Sequence, residues 1–302
     1  MQTIRETLRE RRLLVSDGAW GTMLMAAGLT PDICAELWNI DNPDAVRNVG
    51  AQYIAAGSDL ITTNSFGGSR FKLDDYDQAG RVRELNRAAA KISREAAGSG
   101  HFVIGSIGPT GKMLLMEDVT EQELYEAFRT QAEALLEGGV NACCIETMSA
   151  IDEGTLAVRA AKDSGAETIC TFTFNRLPDG SYRTMMGVSP EEMAAAVVNA
   201  GADIIGANCS LGPAAMVEIV AAMHAAAPHV PIIVHPNAGI PSFVEGETRY
   251  PETPESFAAQ VPALVRAGAS IIGGCCGTTP AHIRQIAAAA YAACGKAKAV
   301  PS

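Results

Sequence analysis

The sequence is short of aromatic residues, of positive charge and of long hydrophobic segments. Aromatic side chains account for 5% of its 302 residues, and 23 basic residues stand against 34 acidic ones, which gives a formal net charge of −11. This charge argues against a nucleic acid or an anionic membrane as the partner. No apolar run approaches the roughly 18 residues of a membrane span, and the charged, amphipathic N-terminus does not resemble a signal peptide. We therefore expect a cytoplasmic protein.

The sequence also lacks the motifs of phosphate-binding folds and of interdomain linkers. No glycine-rich loop of the dinucleotide or P-loop type follows a predicted strand, which argues against the alternative of a doubly wound open sheet. The apolar content of 48% is sufficient for a sizeable core, and no shift in composition marks a boundary. We therefore expect one domain over residues 1–302, with a core from about 13 to 290.

A repeated pattern organises most of the chain: a helix ends at a glycine, and a short apolar strand follows. Glycine suits this position because it relieves the left-handed backbone of a helix C-cap. The pattern occurs four times, after Gly57, Gly139, Gly201 and Gly268. Four further strands are predicted between these repeats, at Leu13–Ser16, Phe102–Ser106, Thr168–Phe174 and Ile232–His235. Eight apolar strands that alternate with helices indicate an α/β fold with a parallel sheet, and favour a single (β/α)8 TIM barrel.

Helix starts agree with this alternation. Asn42-Pro43, Thr253-Pro254 and Thr279-Pro280 each place a capping residue before a proline at the first helical position. The pairs Thr120…Glu123 and Ser189…Glu192 fit the capping box. These signals predict that helices begin at all five positions.

Polar residues end the strands at a constant spacing from the helix-ending glycines. Seven or eight positions after their glycine lie Asn64, Glu146, Asn208, Cys209, Cys275 and Cys276. Asp17 and Asn237 close the first and seventh strands in the same way. Because helix end, loop and strand are matched in length, we expect all these side chains at the C-terminal strand ends, where TIM barrels build their sites.

The eight cysteines fall into two groups. Five are interpreted as small apolar core residues, namely Cys34, Cys143, Cys144, Cys170 and Cys294. Cys275 and Cys276 instead stand side by side in a glycine-rich loop after a strand (Ala269–Ile272), and Cys209 lies in a similar run. In a reducing compartment such thiols indicate metal ligation or catalysis rather than disulfides. Three thiolates with one position left open are the pattern of a catalytic Zn2+ site.

The charge of such a site indicates its chemistry. A zinc ion with three thiolates is a weak Lewis acid for activating water, so its open position suits a substrate thiol. A coordinated thiol is deprotonated at neutral pH, and the thiolate is the nucleophile. The site therefore favours transfer of an alkyl group from an activated donor to a thiol.

The other strand-end residues suit an amino acid that carries this thiol. Asp17 and Glu146 are candidates to hold its ammonium group, and the backbone N–H groups around Asp17, Gly18 and Ala19 are candidates for its carboxylate. Asp17 fits equally well as a turn residue before Gly18. An unpaired Glu146 beside an apolar strand would be costly, which favours a functional role.

Other polar residues have two interpretations each. Asn64 and Asn208 can fix the loop backbone or contact the ligand. His235 is interpreted as a hydrogen-bonded residue at the end of the barrel. The remaining histidines are interpreted as surface or helix-start residues, namely His101, His224, His229 and His282.

Six motifs together resemble the homocysteine S-methyltransferase family. They are Asp17-Gly18-Ala19, Thr63–Gly67, Ser106–Gly111, Glu146-Thr147, Gly206–Cys209 and Gly273–Thr279. The family includes betaine–homocysteine methyltransferase and the homocysteine-binding module of cobalamin-dependent methionine synthase. The similarity extends from about Leu13 to Ala290.

The resemblance implies a TIM barrel with zinc on Cys209, Cys275 and Cys276. It also implies homocysteine contacts at Asp17, Gly18 and Glu146, three positions that match the family's substrate site. Asn237 matches an asparagine that, in the methionine-synthase branch, can occupy the open zinc position before the substrate arrives; the resemblance therefore makes Asn237 a further candidate ligand.

The sequence says less about the identity of the methyl donor than about the metal site. Three stretches resemble bacterial betaine-type enzymes, namely Ala35–Asn39, Phe66–Phe71 and Arg183–Gly187. Trp38 can supply a cation–π face for a quaternary ammonium donor, or can simply pack a helix. Gly67 and Thr147 stand where the animal betaine enzymes carry tyrosines, so their aromatic cage is not reproduced.

The sequence thus predicts a zinc-dependent methyltransferase that forms methionine from homocysteine and a small donor, with a betaine-like donor favoured over S-methylmethionine or methylcobalamin. No Asp-x-His-x-x-Gly motif is present for binding cobalamin, so a corrinoid or folate donor would come on another polypeptide. The alternatives are a homocysteine-activating subunit of a corrinoid- or folate-dependent system and a non-catalytic thiol-binding module. No histidine-rich ligand set or strand-ending lysine supports a metallohydrolase or a Schiff-base aldolase. A homo-oligomer is compatible with the sequence.

Overall fold

The computed structural model describes residues 2–244 and 247–293. The strands in these residues are β1 Leu14–Val15, β2 Leu60–Thr62, β3 Phe102–Ile107, β4 Ala142–Met148, β5 Glu167–Phe172, β6 Asn175–Arg176, β7 Tyr182–Arg183, β8 Ile204–Asn208, β9 Ile232–His235, β10 Ser242–Val244, β11 Glu247–Arg249 and β12 Ala269–Ile272. The α-helices are α1 Ile4–Arg11, α2 Trp20–Ala26, α3 Trp38–Asp41, α4 Pro43–Ala56, α5 Arg70–Asp74, α6 Val82–Ala97, α7 Glu121–Gly138, α8 Ile151–Asp163, α9 Pro190–Asn199, α10 Pro213–Ala226, α11 Pro254–Ala258, α12 Val261–Ala267 and α13 Pro280–Ala293. Short 3₁₀ turns lie at Ala35–Leu37, Ala79–Arg81 and Leu114–Met116.

Eight parallel strands form a nearly closed barrel in the order β1-β12-β9-β8-β5-β4-β3-β2. At the junction of β1 and β2, Asp59 continues the hydrogen bonding between the two short strands. Its backbone N–H donates to the Val15 carbonyl at 2.7 Å, and its Oδ2 accepts from the Val15 N–H at 2.9 Å. The predicted α/β fold with a TIM barrel is confirmed.

All eight predicted strands are present, with small differences at their ends. Ile232–His235 has the predicted bounds, and Phe102–Ile107 is one residue longer than predicted. Two antiparallel hairpins, β6–β7 and β10–β11, were not predicted. They lie in the loops after β5 and β9, so they extend the C-terminal face without changing the barrel. The expectation of one domain over residues 1–302 stays a prediction.

Helix α1 closes the N-terminal end of the barrel. Its Ile4 and Leu8 side chains pack on an apolar layer inside the barrel, to which the strands contribute Leu14, Leu60, Ile104, Ala142, Cys144, Ile169, Ile204, Ile233 and Ile271. The Glu167 carboxylate accepts hydrogen bonds from the first-turn N–H groups of Ile4 and Arg5, at 2.8 and 2.9 Å. Because free N–H groups make a helix N-terminus favourable for a carboxylate, this contact anchors α1. The barrel interior is therefore closed at its N-terminal end.

Helices begin at all five predicted positions, but the predicted side-chain caps form at three of them and not at the other two. Capping boxes are present at Thr120…Glu123 and Ser189…Glu192, and the Thr253 side chain caps α11. Asn42 makes no side-chain cap, because α3 ends at the preceding residue and leaves Asn42 in a conformation that does not reach the next turn. At the start of α13, the Thr279 hydroxyl lies 3.0 Å from Nδ1 of His282 instead of capping the backbone.

Four of the core cysteines are confirmed as buried side chains, namely Cys34, Cys143, Cys144 and Cys170. Cys294 lies outside the described residues. His282 is a helix-start residue as predicted, but it is buried: its Nε2 lies 3.0 Å from the Glu252 carbonyl. Across the described part of the chain, no helix combines the length and apolar character needed to cross a membrane.

Candidate metal and amino-acid site

A cavity of about 480 Å³ opens at the C-terminal ends of the barrel strands. The predicted site residues on its wall are Asp17, Gly18, Asn64, Glu146, Cys209, Cys275 and Cys276. Five of these seven residues share the constant spacing from a helix-ending glycine, and Asp17 and Gly18 follow the first strand, so the C-terminal strand ends bring all seven to one cavity.

The three cysteine thiols converge on one point. Cys276 Sγ lies 3.8 Å from Cys209 Sγ and 4.0 Å from Cys275 Sγ, and all three sulfurs lie within 4.8 Å of one another. Tetrahedral zinc with Zn–S bonds of about 2.3 Å places its sulfur ligands about 3.8 Å apart. The spacing of these thiols thus fits a single soft metal ion.

The loop after β9 holds the two cysteine-bearing segments together. β9 lies between β8 and β12 in the sheet. The Cys209 N–H donates to the His235 carbonyl at 3.0 Å, the Cys275 N–H donates to the Pro236 carbonyl at 2.7 Å, and the Cys276 carbonyl accepts from the Ala238 N–H at 3.0 Å. Every cysteine of the triad is therefore fixed by a backbone hydrogen bond to one short segment.

Glycine at position 273 allows the end of β12 to lie directly against the end of β1. A Cβ atom on Gly273 would lie 2.6 Å from the Asp17 carbonyl oxygen and 2.7 Å from Ser16 Cβ. The next residue, Gly274, donates its N–H to the same Asp17 carbonyl at 2.9 Å. The glycines before Cys275 therefore bring the thiols close to Asp17, which explains a composition that core packing does not.

Hydrogen bonds within the triad favour ionisation of one thiol and disfavour ionisation of a second. The pKa of Cys209 is lowered because the thiols of Cys275 and Cys276 hydrogen-bond to its sulfur. Those same interactions with Cys209 raise the pKa of Cys275 and of Cys276, and burial raises both further. A cation between the three sulfurs would remove this repulsion, so the chemistry of the triad fits a metal ion.

Two polar groups beside the triad have a buried atom without a partner among the described residues: Oδ1 of Asn237 and Nε2 of His235. The Asn237 side chain hydrogen-bonds to Cys209, which leaves its oxygen free next to the thiols. Burial lowers the pKa of His235 to about 4, so its ring is neutral at pH 7. Since a buried polar atom without a partner is costly, both atoms are suited to bind a ligand beside the triad; His235 lies on the cavity wall, whereas Asn237 does not. The predicted hydrogen bond of the His235 ring is absent at Nε2.

Tyr250 covers the triad from the loop that precedes α11. A Cβ atom on Gly277 would overlap the Tyr250 ring, and Gly277 has a positive φ of 80°. The Tyr250 hydroxyl hydrogen-bonds to Cys276, and burial, followed by the charge of Cys276, raises the Tyr250 pKa to about 12. Tyr250 therefore stays a neutral donor to the sulfur.

A bend in β4 turns Glu146 towards the cavity. The pairing of β4 with β5 shifts register between Ile145 and Met148, and such bulges re-aim side chains. Ser106 Oγ donates to Glu146 Oε1. Burial raises the pKa of Glu146 to about 7; the Ser106 hydrogen bond opposes this shift, and the charges of Asp17 and Cys209 add to it. A cation bound between these groups would favour the ionised form.

Asp17 is buried and already receives several hydrogen bonds. Its Oδ2 accepts from Trp20 Nε1 at 2.6 Å, and from the N–H and Oγ1 of Thr62 at 2.7 and 2.8 Å. Among the described residues, its Oδ1 accepts only from Ser16 Oγ at 3.2 Å, so Oδ1 retains capacity for a ligand. The nearby Ala19 N–H, expected to face a substrate carboxylate, donates instead to Thr278 Oγ1 at 3.1 Å.

Two asparagines were predicted either to fix the loop backbone or to contact the ligand, and both make hydrogen bonds to protein groups. Asn64 lies on the cavity wall, but its Nδ2 donates to the Ala35 carbonyl at 2.7 Å and to Asn39 Oδ1 at 3.2 Å. Asn208 is not on the wall, and its side chain binds Thr147 and Thr171. The alternative of loop fixation describes the contacts of both.

Trp38 does not lie on the wall of this cavity and packs against the hydrophobic core. Its segment contacts the loop after β2: Glu36 Oε1 accepts from the Gly67 N–H at 2.6 Å, and Asn39 Nδ2 donates to the Asn64 carbonyl at 2.8 Å. This contact needs Glu36 and Asn39 on one side of the turn, which directs Trp38 to the core. The tryptophan on the cavity wall is Trp20.

Sequence reasoning missed three site residues: Trp20, Ser106 and Tyr250. Trp20 follows Asp17 by three residues, a spacing that brings its indole N–H to the carboxylate as α2 begins. Ser106 lies near the end of β3, beside Glu146 on β4, and this strand position was a usable signal. Tyr250 comes from a long loop, and its position had no signal in a single sequence.

Comparisons with known proteins show the family to which the chain belongs. A model of the homocysteine S-methyltransferase family matches residues 14–290. The chain is 34% identical to the methionine synthases of Mycobacterium tuberculosis, over 295 residues, and of Mycobacterium leprae, over 300 residues. These matches cover 92% and 94% of this chain and 25% of each synthase, so the chain spans about a quarter of the length of these relatives.

Among solved structures, the metallated homocysteine methyltransferase MmuM from Escherichia coli has a similar fold. Its TM-score is 0.76 at 24% identity, with coverage of 94% of this chain and 99% of that one. The fold and the site together place this chain among TIM-barrel proteins that carry a candidate metal site, built from three thiols, at the C-terminal face. Within that class, this chain belongs to the homocysteine S-methyltransferase family, as the sequence resemblance predicted.

Proposed function

We propose that this chain is a zinc-dependent methyltransferase that moves a methyl group from a donor to the sulfur of homocysteine, giving methionine. The observation that carries the proposal is the convergence of three thiols, at the spacing of zinc ligands, with Glu146 in the same cavity. Family membership supports the substrate. The mycobacterial relatives that are named methionine synthases support the product.

The roles of the residues follow from their positions. Cys209, Cys275 and Cys276 would hold the zinc ion, with the Asn237 oxygen beside them as a ligand that the substrate can replace. When bound, zinc supplies a cationic centre that keeps a thiol deprotonated at neutral pH. Glu146 and Oδ1 of Asp17 would hold the substrate ammonium group, and the Gly18 backbone would lie beside it. The substrate is thereby oriented with its sulfur towards the triad.

The reaction needs no oxidant and no water. A lone pair on the substrate sulfur forms the new S–C bond, and the bond between the methyl carbon and the donor atom breaks with its electron pair left on the donor. A quaternary ammonium donor therefore leaves as a neutral tertiary amine.

For the donor, a small onium compound such as glycine betaine is the first candidate. In the part of the chain that the structure describes, four acidic residues line the cavity, Asp17, Glu36, Asp75 and Glu146, against one lysine, Lys72. This balance favours a cationic ligand over an anionic one. Trp20 offers the aromatic wall that was expected from Trp38.

A methyl group carried by a separate corrinoid protein is the second candidate, and a surface feature favours it. All thirteen exposed large hydrophobic residues of the described chain lie in segments that leave the C-terminal ends of barrel strands: Met25, Ile33, Ile40, Phe66, Tyr76, Met113, Leu115, Met116, Leu177, Met185, Met186, Ile240 and Phe243. We call this set the apolar rim. Exposed apolar residues on these segments make this side of the barrel a candidate for contact with another protein, and the much longer relatives carry further chain that can make it.

One experiment tests the function and separates the donors. Purified chain with zinc and homocysteine is given glycine betaine, S-methylmethionine, methylcobalamin or a methylated corrinoid protein, and methionine is quantified. The onium proposal predicts turnover with betaine. Turnover with the corrinoid protein alone would replace the first candidate by the second, and no methionine from any donor would favour the thiol-binding module.

The apolar rim provides a matched control for this panel. Leu115 and Met185 are 79% and 82% exposed and lie outside the cavity wall. The double variant Leu115→Ser/Met185→Ser should reduce turnover with a protein-borne donor and leave turnover with a small donor unchanged.

A further inference from the structure

The residue after Glu146 has an unfavourable backbone conformation. Thr147 has a φ of 63°, in the left-handed region that a β-branched residue rarely adopts. Such a conformation persists only where surrounding contacts hold it, and it is common at functional sites. The bend at Thr147 coincides with the register shift that turns Glu146 to the cavity.

One side chain supplies the contacts that hold Thr147. Asn208 Oδ1 accepts a hydrogen bond from the Thr147 N–H at 2.9 Å, and Asn208 Nδ2 donates to Thr147 Oγ1 at 2.8 Å. Thr171 Oγ1 donates to the same Oδ1 at 2.7 Å. Asn208 is fully buried and does not lie on the cavity wall, so its amide is engaged by protein rather than exposed to a ligand.

The position of Asn208 in the chain connects this contact to the thiols. It is the last residue of β8 and directly precedes Cys209, which is also left-handed, with a φ of 63°. Thr171 belongs to β5, which lies between β4 and β8 in the sheet. One buried amide thus joins the bend that carries Glu146 to the turn that carries a thiol.

We propose that Asn208 is a positioning residue that holds Thr147 in its left-handed conformation and thereby fixes the Glu146 carboxylate relative to Cys209. This inference rests on the proposed function, because it assigns a purpose to the placement of Glu146. The contact between Asn208 and Thr147 joins the binding sites for the substrate ammonium and sulfur into one rigid unit. Asn208 thereby sets the distance between Glu146 and Cys209.

The test relies on the unfavourable positive φ of Thr147. Glycine adopts a positive φ at no steric cost, so Thr147→Gly removes the need for a clamp. We expect Asn208→Ala to weaken binding of norleucine, a thiol-free amino acid with the side-chain length of methionine, by about tenfold or more in the otherwise native chain. In the Thr147→Gly background, the same substitution should weaken binding by less than about threefold.

Two outcomes would overturn the clamp: native norleucine affinity in Asn208→Ala, or an equal loss with and without Thr147→Gly. Zinc content, measured in the same samples, should stay stoichiometric. If Asn208→Ala does not fold, Thr171→Val removes only the supporting hydrogen bond and should give a smaller loss that Thr147→Gly again suppresses; no loss there would also count against the clamp.

A separate variant distinguishes failure of this inference from failure of the proposed function. Glu146→Gln leaves Asn208 and Thr147 intact. If Glu146→Gln binds norleucine as tightly as the native chain, the assigned role of Glu146 is wrong. If that variant loses affinity and Asn208→Ala does not, the role of Glu146 stands and only the clamp is wrong.

Discussion

Cys275→Ala is expected to leave the purified protein with less than about a tenth of its zinc, and to lower methionine formation by at least about a thousandfold. Two remaining thiols cannot complete the ligand set, and without the metal a thiol substrate stays protonated at neutral pH. Metal analysis and a methionine assay on the same preparation measure both effects.

The matched control for this variant is Cys144→Ala. Cys144 also belongs to a pair of adjacent cysteines, Cys143 and Cys144. It is buried in the barrel interior, away from the triad. Its loss should reduce stability by about 2 kcal/mol or less through a small cavity, with zinc content unchanged. Stoichiometric zinc in Cys275→Ala would show that the triad is not the metal site.

Glu146→Gln is expected to weaken binding of an amino acid by about thirtyfold at pH 8, because a buried carboxylate no longer pairs with the substrate ammonium. A charged hydrogen bond of this kind contributes about 2 kcal/mol. Glutamine keeps the shape of the side chain and can still accept from Ser106. Zinc content should not change, which separates the substrate role from the metal role.

The pH dependence of binding gives a sharper test of Glu146. Its pKa is raised to about 7 in the free protein, and a bound ammonium would lower it. Binding then releases a proton below about pH 7, so affinity for norleucine should rise with pH up to about 8 and then level off. Norleucine has no thiol, so metal binding does not contribute to the profile. In Glu146→Gln the profile should be flat; a persistent slope would assign the titration to another group.

The sequence was sufficient to predict the barrel and the triad because both depend on chain register. The spacing from Gly201 and Gly268 placed Cys209 and Cys275 at the ends of β8 and β12, and the sheet order brings those ends to either side of β9. Backbone periodicity is a local property, so one sequence contains it.

The sequence was less informative where the position of a side chain depends on contacts between loops. Trp38 was a plausible donor contact until the hydrogen bonds of Glu36 and Asn39 turned it to the core. Trp20 reaches the cavity wall by its bond to Asp17. Such choices depend on partners distant in the sequence, which no local pattern encodes.

Asn208 shows the same limit at a residue whose location was predicted. Its place at the end of β8 followed from the spacing, but its choice between ligand and backbone depended on the conformation of Thr147 across the sheet. The left-handed φ of Thr147 could not be foreseen, because a β-branched residue disfavours it.

The measurement that tests the central claim most directly is X-ray absorption at the zinc edge, with and without homocysteine. The account predicts three sulfur ligands in the free protein and four with saturating homocysteine, with about one proton released on binding. Homoserine, which carries a hydroxyl in place of the thiol, should add no sulfur. An unchanged sulfur count with saturating homocysteine would contradict the claim that the triad presents an open position to the substrate thiol.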